Sequence, residues 1–229
     1  MTIIELMKRI TLITRISTAI LDFPCSHPLR VAVDGVDTSG KTFLAEELIL
    51  NLRRGHRQVI QASVDDFHNP RSIRWEKGSL SPEGFYFDSY NYNALIDNLL
   101  DPLGPDGDRH YRTAIFDLNH DRPTTLSFRT ASDDAILITD GIFLLRPELY
   151  PFWDLCIYLV TDFKKSIPRG VARDTELIGS AEEAARRYRE RYVPGQRIYH
   201  REVNPLDKAD ILIDNNDLES PQFLRFLDR

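Results

Sequence analysis

Cysteine is scarce in this sequence, and it has neither a long apolar run nor a long basic run. The two cysteines, Cys25 and Cys156, stand far apart and lack metal-ligand spacing, so nothing demands an oxidising compartment. No apolar run approaches the ~20 residues that a bilayer crossing needs. A net charge of −6 without a basic run disfavours nucleic acid as the main partner. We therefore expect a cytoplasmic protein whose partners include neither membrane nor nucleic acid.

The most informative stretch runs from Gly35 to Thr42 and reads G-V-D-T-S-G-K-T. It fits G-x-x-x-x-G-K-[ST], the phosphate-binding loop, and lies between an apolar run and a helical pattern, as that motif requires. Glycines let the loop turn its N–H groups toward phosphate, Lys41 adds a positive charge, and Thr42 offers a hydroxyl to Mg²⁺. The predicted nucleotide-binding residues are Gly35, Asp37, Thr38, Ser39, Gly40, Lys41 and Thr42.

Predicted strands and helices alternate along most of the chain. A helix is expected at 3–22, strands at 29–34, 57–64, 135–140, 154–160 and 209–215, and a closing helix at about 220–228. Residues 70–90 are expected to form a long aromatic-rich loop, and 111–116 and 124–128 two antiparallel segments. This order predicts an α/β fold of the P-loop NTPase type, with a mostly parallel, doubly wound sheet flanked by helices.

Acidic residues follow two of the predicted strands. Asp65 and Asp66 come after the second strand, and Asp140 ends the strand at 135–140. In an open α/β sheet the ligand crevice lies beyond the carboxyl ends of the strands. Asp140 is therefore expected to hold Mg²⁺ beside Thr42, directly or through water.

Signatures of other P-loop classes are missing. The sequence has no N-K-x-D motif for guanine, no L-S-G-G-Q-type transporter signature, and at 229 residues little room for a motor or helicase. A small-molecule kinase needs a P-loop, an acid for Mg²⁺, a base for the acceptor hydroxyl and mobile arginines, and each has a candidate here. The expected cofactors are ATP and Mg²⁺, with GTP as the donor left open. A nucleotide-binding regulator without turnover is the alternative from another class.

This hypothesis divides the chain into two parts. An N-terminal helix, 1–27, is expected to pack on a P-loop kinase domain, 28–229, whose arginine-bearing lid lies at about 165–195. The helix either covers the sheet or serves the interface of a homo-oligomer.

Several stretches resemble the uridine kinase/phosphoribulokinase family, and within it the uridine kinase-like branch. They span about 28–216 and comprise Gly35–Thr42, Val64-Asp-Asp-Phe-His68, Phe87-Asp88, Asp140-Gly-Ile142, Arg169-x-x-x-Arg173-Asp174 and Ala209-Asp-Ile-Leu-Ile-Asp-Asn215. The P-loop is common to many NTPases, whereas its combination with Asp-Asp-Phe and Asp-Gly-Ile is fairly specific to this family.

The resemblance implies a role for each matching residue. Asp65 matches the acid that activates the acceptor hydroxyl, with Asp66 as the second choice, and Asp65 is also a candidate Mg²⁺ ligand. Asp88 matches the acid that binds ribose hydroxyls. Arg169 and Arg173 resemble lid arginines that close on the phosphates and act with Lys41 on the transferred group. Asp140 stands at the Mg²⁺ position, where the family commonly has Glu.

One region departs from the pattern. The uridine kinases have a Tyr-Asp-Phe stretch and a nearby His around the pyrimidine, and the corresponding region here is Phe116-Asp117-Leu118-Asn119-His120. Phe116 and His120 are thus the predicted substrate residues, but the phenol that bonds the base is missing, and such a loss shifts specificity. The expected partner is a small-molecule acceptor, a nucleoside such as uridine first and a sugar-like or pantothenate-like alcohol second.

Overall fold

The computed structural model describes residues 3–227 and is organised around one central sheet. Its helices are α1 (Ile3–Leu21), α2 (Lys41–Leu52), α3 (Arg71–Arg74), α4 (Pro82–Asp88), α5 (Tyr92–Leu95), α6 (Phe163–Ile178), α7 (Ala181–Arg187), α8 (Val193–Val203) and α9 (Pro205–Lys208). Its strands are β1 (Leu29–Gly35), β2 (Val59–Ser63), β3 (His110–Tyr111), β4 (Phe116–Asp117), β5 (Arg122–Pro123), β6 (Arg129–Thr130), β7 (Ile136–Asp140), β8 (Leu155–Val160), β9 (Ile211–Asp214) and β10 (Gln222–Phe226). Residues 1–2 and 228–229, the outer ends of the two predicted parts, lie outside the described residues.

The central sheet has six strands in the order β10-β9-β8-β1-β7-β2. The five strands from β9 to β2 run parallel, and β10 joins β9 antiparallel at the edge. Asp140 at the end of β7 is in register with Val33 of β1 on one side and Ser63 of β2 on the other. The loops that follow β1, β2 and β7 therefore leave the same edge of the sheet, which confirms the predicted α/β class.

Apolar side chains cover both faces of the sheet, which explains why β1 and β7 are buried at every position. One face packs on α1 and α2 through Ile16, Ile20 and Leu48, and the other packs on an aromatic cluster around Phe67 and Phe143. At the solvent side of the α1–α2 contact, the Arg9 guanidinium donates to both carboxylate oxygens of Glu47, at 2.8 and 2.7 Å. Within residues 3–227, no helix is both long enough and apolar enough to cross a membrane.

The structure corrects the predicted closing helix, because Gln222–Phe226 is a strand that pairs with β9. The apolar residues at 223, 224, 226 and 227 fit a helical spacing, which explains the error. Two long-range contacts favour the extended form instead: the β9 edge accepts the strand, and the Arg15 guanidinium stacks 4.8 and 4.5 Å from the rings of Phe223 and Phe226. Residue 228 of that prediction lies outside the described part of the chain.

Two further local predictions had the wrong extent. The aromatic segment 70–90, predicted as a loop, contains α3 and α4. Helix α4 begins with a cap that the sequence already shows: Ser81 Oγ accepts from the Gly84 N–H at 3.0 Å, and Pro82 follows Ser81. The antiparallel pairs at 110–130 are only two residues long, β3 with β6 and β4 with β5, and 124–128 is not a strand.

Candidate active site

The phosphate-binding loop connects β1 to α2, and its two glycines are required by close contacts. A Cβ at Gly35 would lie 2.7 Å from Ser39 Oγ and 2.8 Å from the Leu159 carbonyl oxygen. Gly40 has φ +93°, and a Cβ there would lie 2.7 Å from Asn215 Nδ2. The loop can therefore keep this shape only with glycine at both positions.

Hydrogen bonds from neighbouring segments, and one within the loop, hold the loop in place. Thr38 Oγ1 donates to the Ser166 carbonyl at 2.7 Å, and Asn215 Nδ2 donates to the Ser39 carbonyl at 2.5 Å. The Lys41 Nζ donates to the Val36 carbonyl at 2.8 Å, inside the loop itself. Burial lowers the pKa of Lys41, and the nearby carboxylates, Asp37 foremost, oppose that shift.

Thr42 and Asp140 meet because β1 and β7 are neighbours. The Thr42 hydroxyl donates to Asp140 Oδ2 at 2.7 Å. Burial raises the pKa of Asp140, whereas the bond from Thr42 and the charge of Lys41 act in the other direction. A hydroxyl and a carboxylate oxygen beside a phosphate-binding loop are the donor types that Mg²⁺ prefers, so these residues fit the ion.

A buried carboxylate lies directly beneath the loop. Asp34 is fully buried, and Oδ1 accepts from the Gly35 N–H at 2.6 Å while Oδ2 accepts from the Tyr199 hydroxyl at 2.5 Å. Burial raises the pKa of Asp34 to about 6, and these hydrogen bonds counteract part of that effect. Asp34 thus ties the start of the loop to α8, a contact that the sequence does not reveal.

Asp65 is the second residue of the 3-10 turn Val64–Phe67 that follows β2, and its side chain lines the same cavity as Lys41 and Asp140. The Tyr90 hydroxyl donates to Asp65 Oδ1 at 3.1 Å. Asp66 does not line the cavity; burial and the charges of Asp65 and Asp140 raise its pKa to about 6. Between the two predicted base candidates, the geometry therefore favours Asp65.

The predicted lid arginines both lie on α6 and both line the cavity. Arg169 donates through Nη2 to the Asn216 carbonyl at 2.6 Å. Arg173 donates to Asp174 through Nε at 2.6 Å and Nη2 at 3.2 Å, and this pairing raises the pKa of Arg173. The predicted lid range covers most of α6, α7 and the start of α8; that it moves stays a prediction.

Three predicted substrate residues lie outside this cavity. The Asp88 carboxylate forms an ion pair with Lys77 Nζ at 2.6 Å. The Phe116 side chain is buried, and the exposed His120 ring contacts Asp117 at 2.7 Å through Nδ1. The structure thus brings together the predicted phosphate and base residues, but not the residues expected to read a nucleoside.

The cavity itself has a volume of about 430 Å³, within the range of small-molecule sites. Sequence reasoning missed some of the side chains around it. Tyr90 belongs to the aromatic-rich segment 70–90, for which the sequence indicated no individual contact, and Gln196, Phe43 and Leu218 belong to no recognised motif. Gln196 contacts the loop from α8, and Phe43 and Leu218 add apolar surface.

No protein-family model matches the chain. Among solved structures, it is similar to a possible uridine kinase from Bacillus stearothermophilus, at 22% identity and a TM-score of 0.69 over 87% of this chain and 96% of the other. A candidate fructose transport system kinase from Silicibacter sp. aligns at 19% identity and a TM-score of 0.69, over 82% and 94% of the two chains. Phosphoribulokinase from Rhodobacter spheroides aligns at 17% identity and a TM-score of 0.57, over 82% and 70%. The chain has the P-loop kinase fold.

At the level of the fold, these similarities confirm the expected resemblance to uridine kinase and phosphoribulokinase. The first two alignments cover 87% and 82% of this chain. At 22% identity or less, these alignments show the architecture alone, because one fold can carry many different activities.

Proposed function

We propose that this protein is an ATP- and Mg²⁺-dependent phosphotransferase that acts on a hydroxyl group of a small metabolite. The observation that carries the proposal is the shared cavity, in which Asp65 lines the same space as Lys41 and the hydrogen-bonded pair Thr42 and Asp140. A P-loop with an acid explains nucleotide binding, and a second acid in the same cavity supplies what transfer to an alcohol needs.

Each residue has a role in this reaction. The loop N–H groups and Lys41 bind the phosphates, and Thr42 and Asp140 would hold Mg²⁺, which when bound offsets negative charge on the phosphate oxygens. Asp65 accepts the proton of the acceptor hydroxyl. The hydroxyl oxygen forms a bond to the γ-phosphorus while the bond to the β,γ-bridging oxygen breaks, which leaves ADP. Arg169 and Arg173 offset charge on the group in transfer.

The acceptor has two candidates. The names of the similar structures refer to uridine, to fructose transport and to phosphoribulose, so one fold serves several acceptors. A nucleoside follows from the resemblance to uridine kinases. A non-nucleoside alcohol is favoured by the positions of Phe116 and His120, neither of which lines the cavity.

The test is turnover of the full chain with Mg²⁺ and ATP against uridine, cytidine, other nucleosides, ribose, pantothenate and glycerate. Phosphorylated product is identified by mass spectrometry, and ADP release gives the rate. We expect one acceptor class to react and the Lys41→Ala variant to lose at least about a hundredfold in rate. ATP binding without a phosphorylated acceptor in any class would count against the kinase and for a nucleotide-binding regulator.

A further inference from the structure

The phosphate-binding loop carries a carboxylate, although the surrounding loop is built to bind anions. Asp37 is the third residue of the eight-residue motif, and it lines the cavity together with Lys41 and Thr42. A carboxylate repels a nearby phosphate, and the repulsion grows where the site is shielded from water. Asp37 is therefore unfavourable for nucleotide binding unless its carboxylate serves another ligand.

The backbone N–H of Asp37 is hydrogen-bonded within the protein, whereas its carboxylate has little hydrogen bonding. Its N–H donates to Gln196 Oε1 at 2.7 Å, and Gln196 Nε2 lies 3.4 Å from Asp37 Oδ2. The Gln196 side chain is buried, and its Nε2 also donates to the Tyr192 carbonyl at 2.9 Å, which fixes the amide. Within residues 3–227, the carboxylate receives no other hydrogen bond, so it can accept several more.

The surroundings of Asp37 define the ligand that suits it. Asp65 lines the same cavity, and its Oδ1 accepts from Tyr90. Two cations that act on Asp37 also line the cavity: Lys41, whose Nζ donates to the Val36 carbonyl, and Arg173, whose charge is offset by the two hydrogen bonds to Asp174. Two carboxylates thus meet one ligand, and this arrangement favours a ligand that donates hydrogen bonds and carries no negative charge of its own.

We propose that Asp37 belongs to the acceptor half of the site, where it binds hydroxyl groups of a neutral, polyhydroxylated acceptor and disfavours anionic acceptors. This inference rests on the proposed kinase function and deepens it. It reassigns Asp37, which the sequence places among the nucleotide-binding residues. Asp37 is a specificity residue in this proposal, and Asp65 remains the base.

The experiment compares acceptors that differ in charge but share a reactive alcohol: ribulose with ribulose 5-phosphate, pantothenol with pantothenate, and glycerol with glycerate. Each is assayed with wild type, with Asp37→Asn, and with Asp22→Asn as a matched control on an exposed acid beyond α1. We expect wild type to prefer the neutral member of a reactive pair by at least about tenfold in kcat/KM. Asp37→Asn should raise KM for the neutral acceptor about tenfold, because a hydrogen bond to a charged carboxylate is replaced by a weaker one to a neutral amide. The same variant should reduce the preference for the neutral over the anionic acceptor.

The KM for ATP shows whether Asp37 acts on acceptor binding or on nucleotide binding. It should stay within about twofold of wild type or fall in Asp37→Asn, because a repulsive charge near the phosphates is removed. A rise in the KM for ATP at an unchanged KM for the acceptor would overturn the inference and restore Asp37 to the nucleotide half. A wild-type preference for the anionic members would overturn it as well.

Binding measured by calorimetry, with a non-hydrolysable ATP analogue present, gives a second readout that does not depend on turnover. Tighter binding of the neutral members in wild type, reduced in Asp37→Asn, supports the inference. Binding of the analogue with no neutral member bound overturns it while leaving nucleotide binding intact. Failure to bind the analogue at all would instead overturn the proposed kinase function.

Discussion

The proposed phosphate end of the cavity comes from one continuous stretch of chain and the end of the neighbouring strand β7, whereas the proposed acceptor end draws on separated segments. Gly35 to Thr42 forms a loop whose shape follows from two glycines, and Asp140 reaches it because β7 pairs with β1. Asp65 follows β2, Tyr90 follows α4, and Gln196 lies on α8. Most residues of the phosphate end are thus close together in the sequence, whereas those of the acceptor end are brought together from distant segments.

The largest expected effect lies at the acceptor end, in Asp65→Asn. An amide cannot take the proton of the hydroxyl, so kcat should fall by about 10²- to 10⁴-fold, while the KM for ATP changes by no more than about twofold. Steady-state kinetics with both substrates varied checks this. Asp66→Asn is the matched comparison, and a larger loss there than in Asp65→Asn would exchange the two roles.

The next effect concerns the support beneath the phosphate loop, in Asp34→Asn. Burial raises the pKa of Asp34 from its ordinary 3.8 to about 6. The folded state therefore favours the protonated acid, and this contribution to stability is full below pH about 4 and lost as the pH rises through 6. Relative to wild type, the variant should gain about 2 kcal/mol in unfolding free energy between pH 4 and pH 7.

Urea unfolding at a series of pH values measures the difference in unfolding free energy between Asp34→Asn and wild type. A difference that stays constant with pH would mean that the Asp34 carboxyl is not desolvated as its burial implies. Asp22→Asn controls for the removal of an acid at an exposed position.

At the phosphate end, Asp140→Asn should raise the Mg²⁺ concentration needed for half-maximal rate about tenfold or more, because a neutral amide holds the ion less well. The KM for the acceptor should remain near the wild-type value, since Asp140 contacts Thr42 and not the acceptor residues. Mg²⁺ titrations at saturating ATP check the first effect. An equal rise in the acceptor KM would mean that Asp140 also affects acceptor binding, which would contradict the division of the cavity into two ends.

The smallest effect is expected for Tyr90→Phe, which removes the 3.1 Å hydrogen bond to Asp65. One such bond contributes about 1 kcal/mol, so kcat/KM for the acceptor should fall about fivefold. Tyr92→Phe is the matched control, because its hydroxyl does not contact Asp65. Equal losses in both variants would assign the effect to general packing of the aromatic segment.

The same division explains how much the sequence could predict. The glycine spacing of the loop, the strand before it and the acid at the end of β7 are local signals, and parallel pairing then brings Thr42 and Asp140 together. Gln196 contacts the loop and Tyr199 contacts Asp34 beneath it, each across more than 150 residues of chain, and no spacing reveals such a partner. The predicted substrate residues Phe116 and His120 lie on β4 and on the turn between β4 and β5, outside the cavity, and their spacing in the sequence does not show where this hairpin lies.

Secondary structure was predictable where a pattern was long. The predicted helix at 3–22 agrees with α1, and the predicted strand at 135–140 agrees with β7 to within one residue. At β10 the apolar spacing alone indicated a helix, but pairing with β9 and the contacts of Arg15 outweigh the local preference.

The contact between Lys41 Nζ and the Val36 carbonyl has a consequence for competition between anions. This bond occupies one of the three N–H groups of the ammonium, so two remain for the oxygens of an incoming anion. Inorganic phosphate or sulfate offers one tetrahedral group to these donors, whereas a nucleoside triphosphate offers a chain of oxygens that also meets the loop N–H groups. We therefore expect the loop to bind a nucleoside triphosphate more tightly than free phosphate.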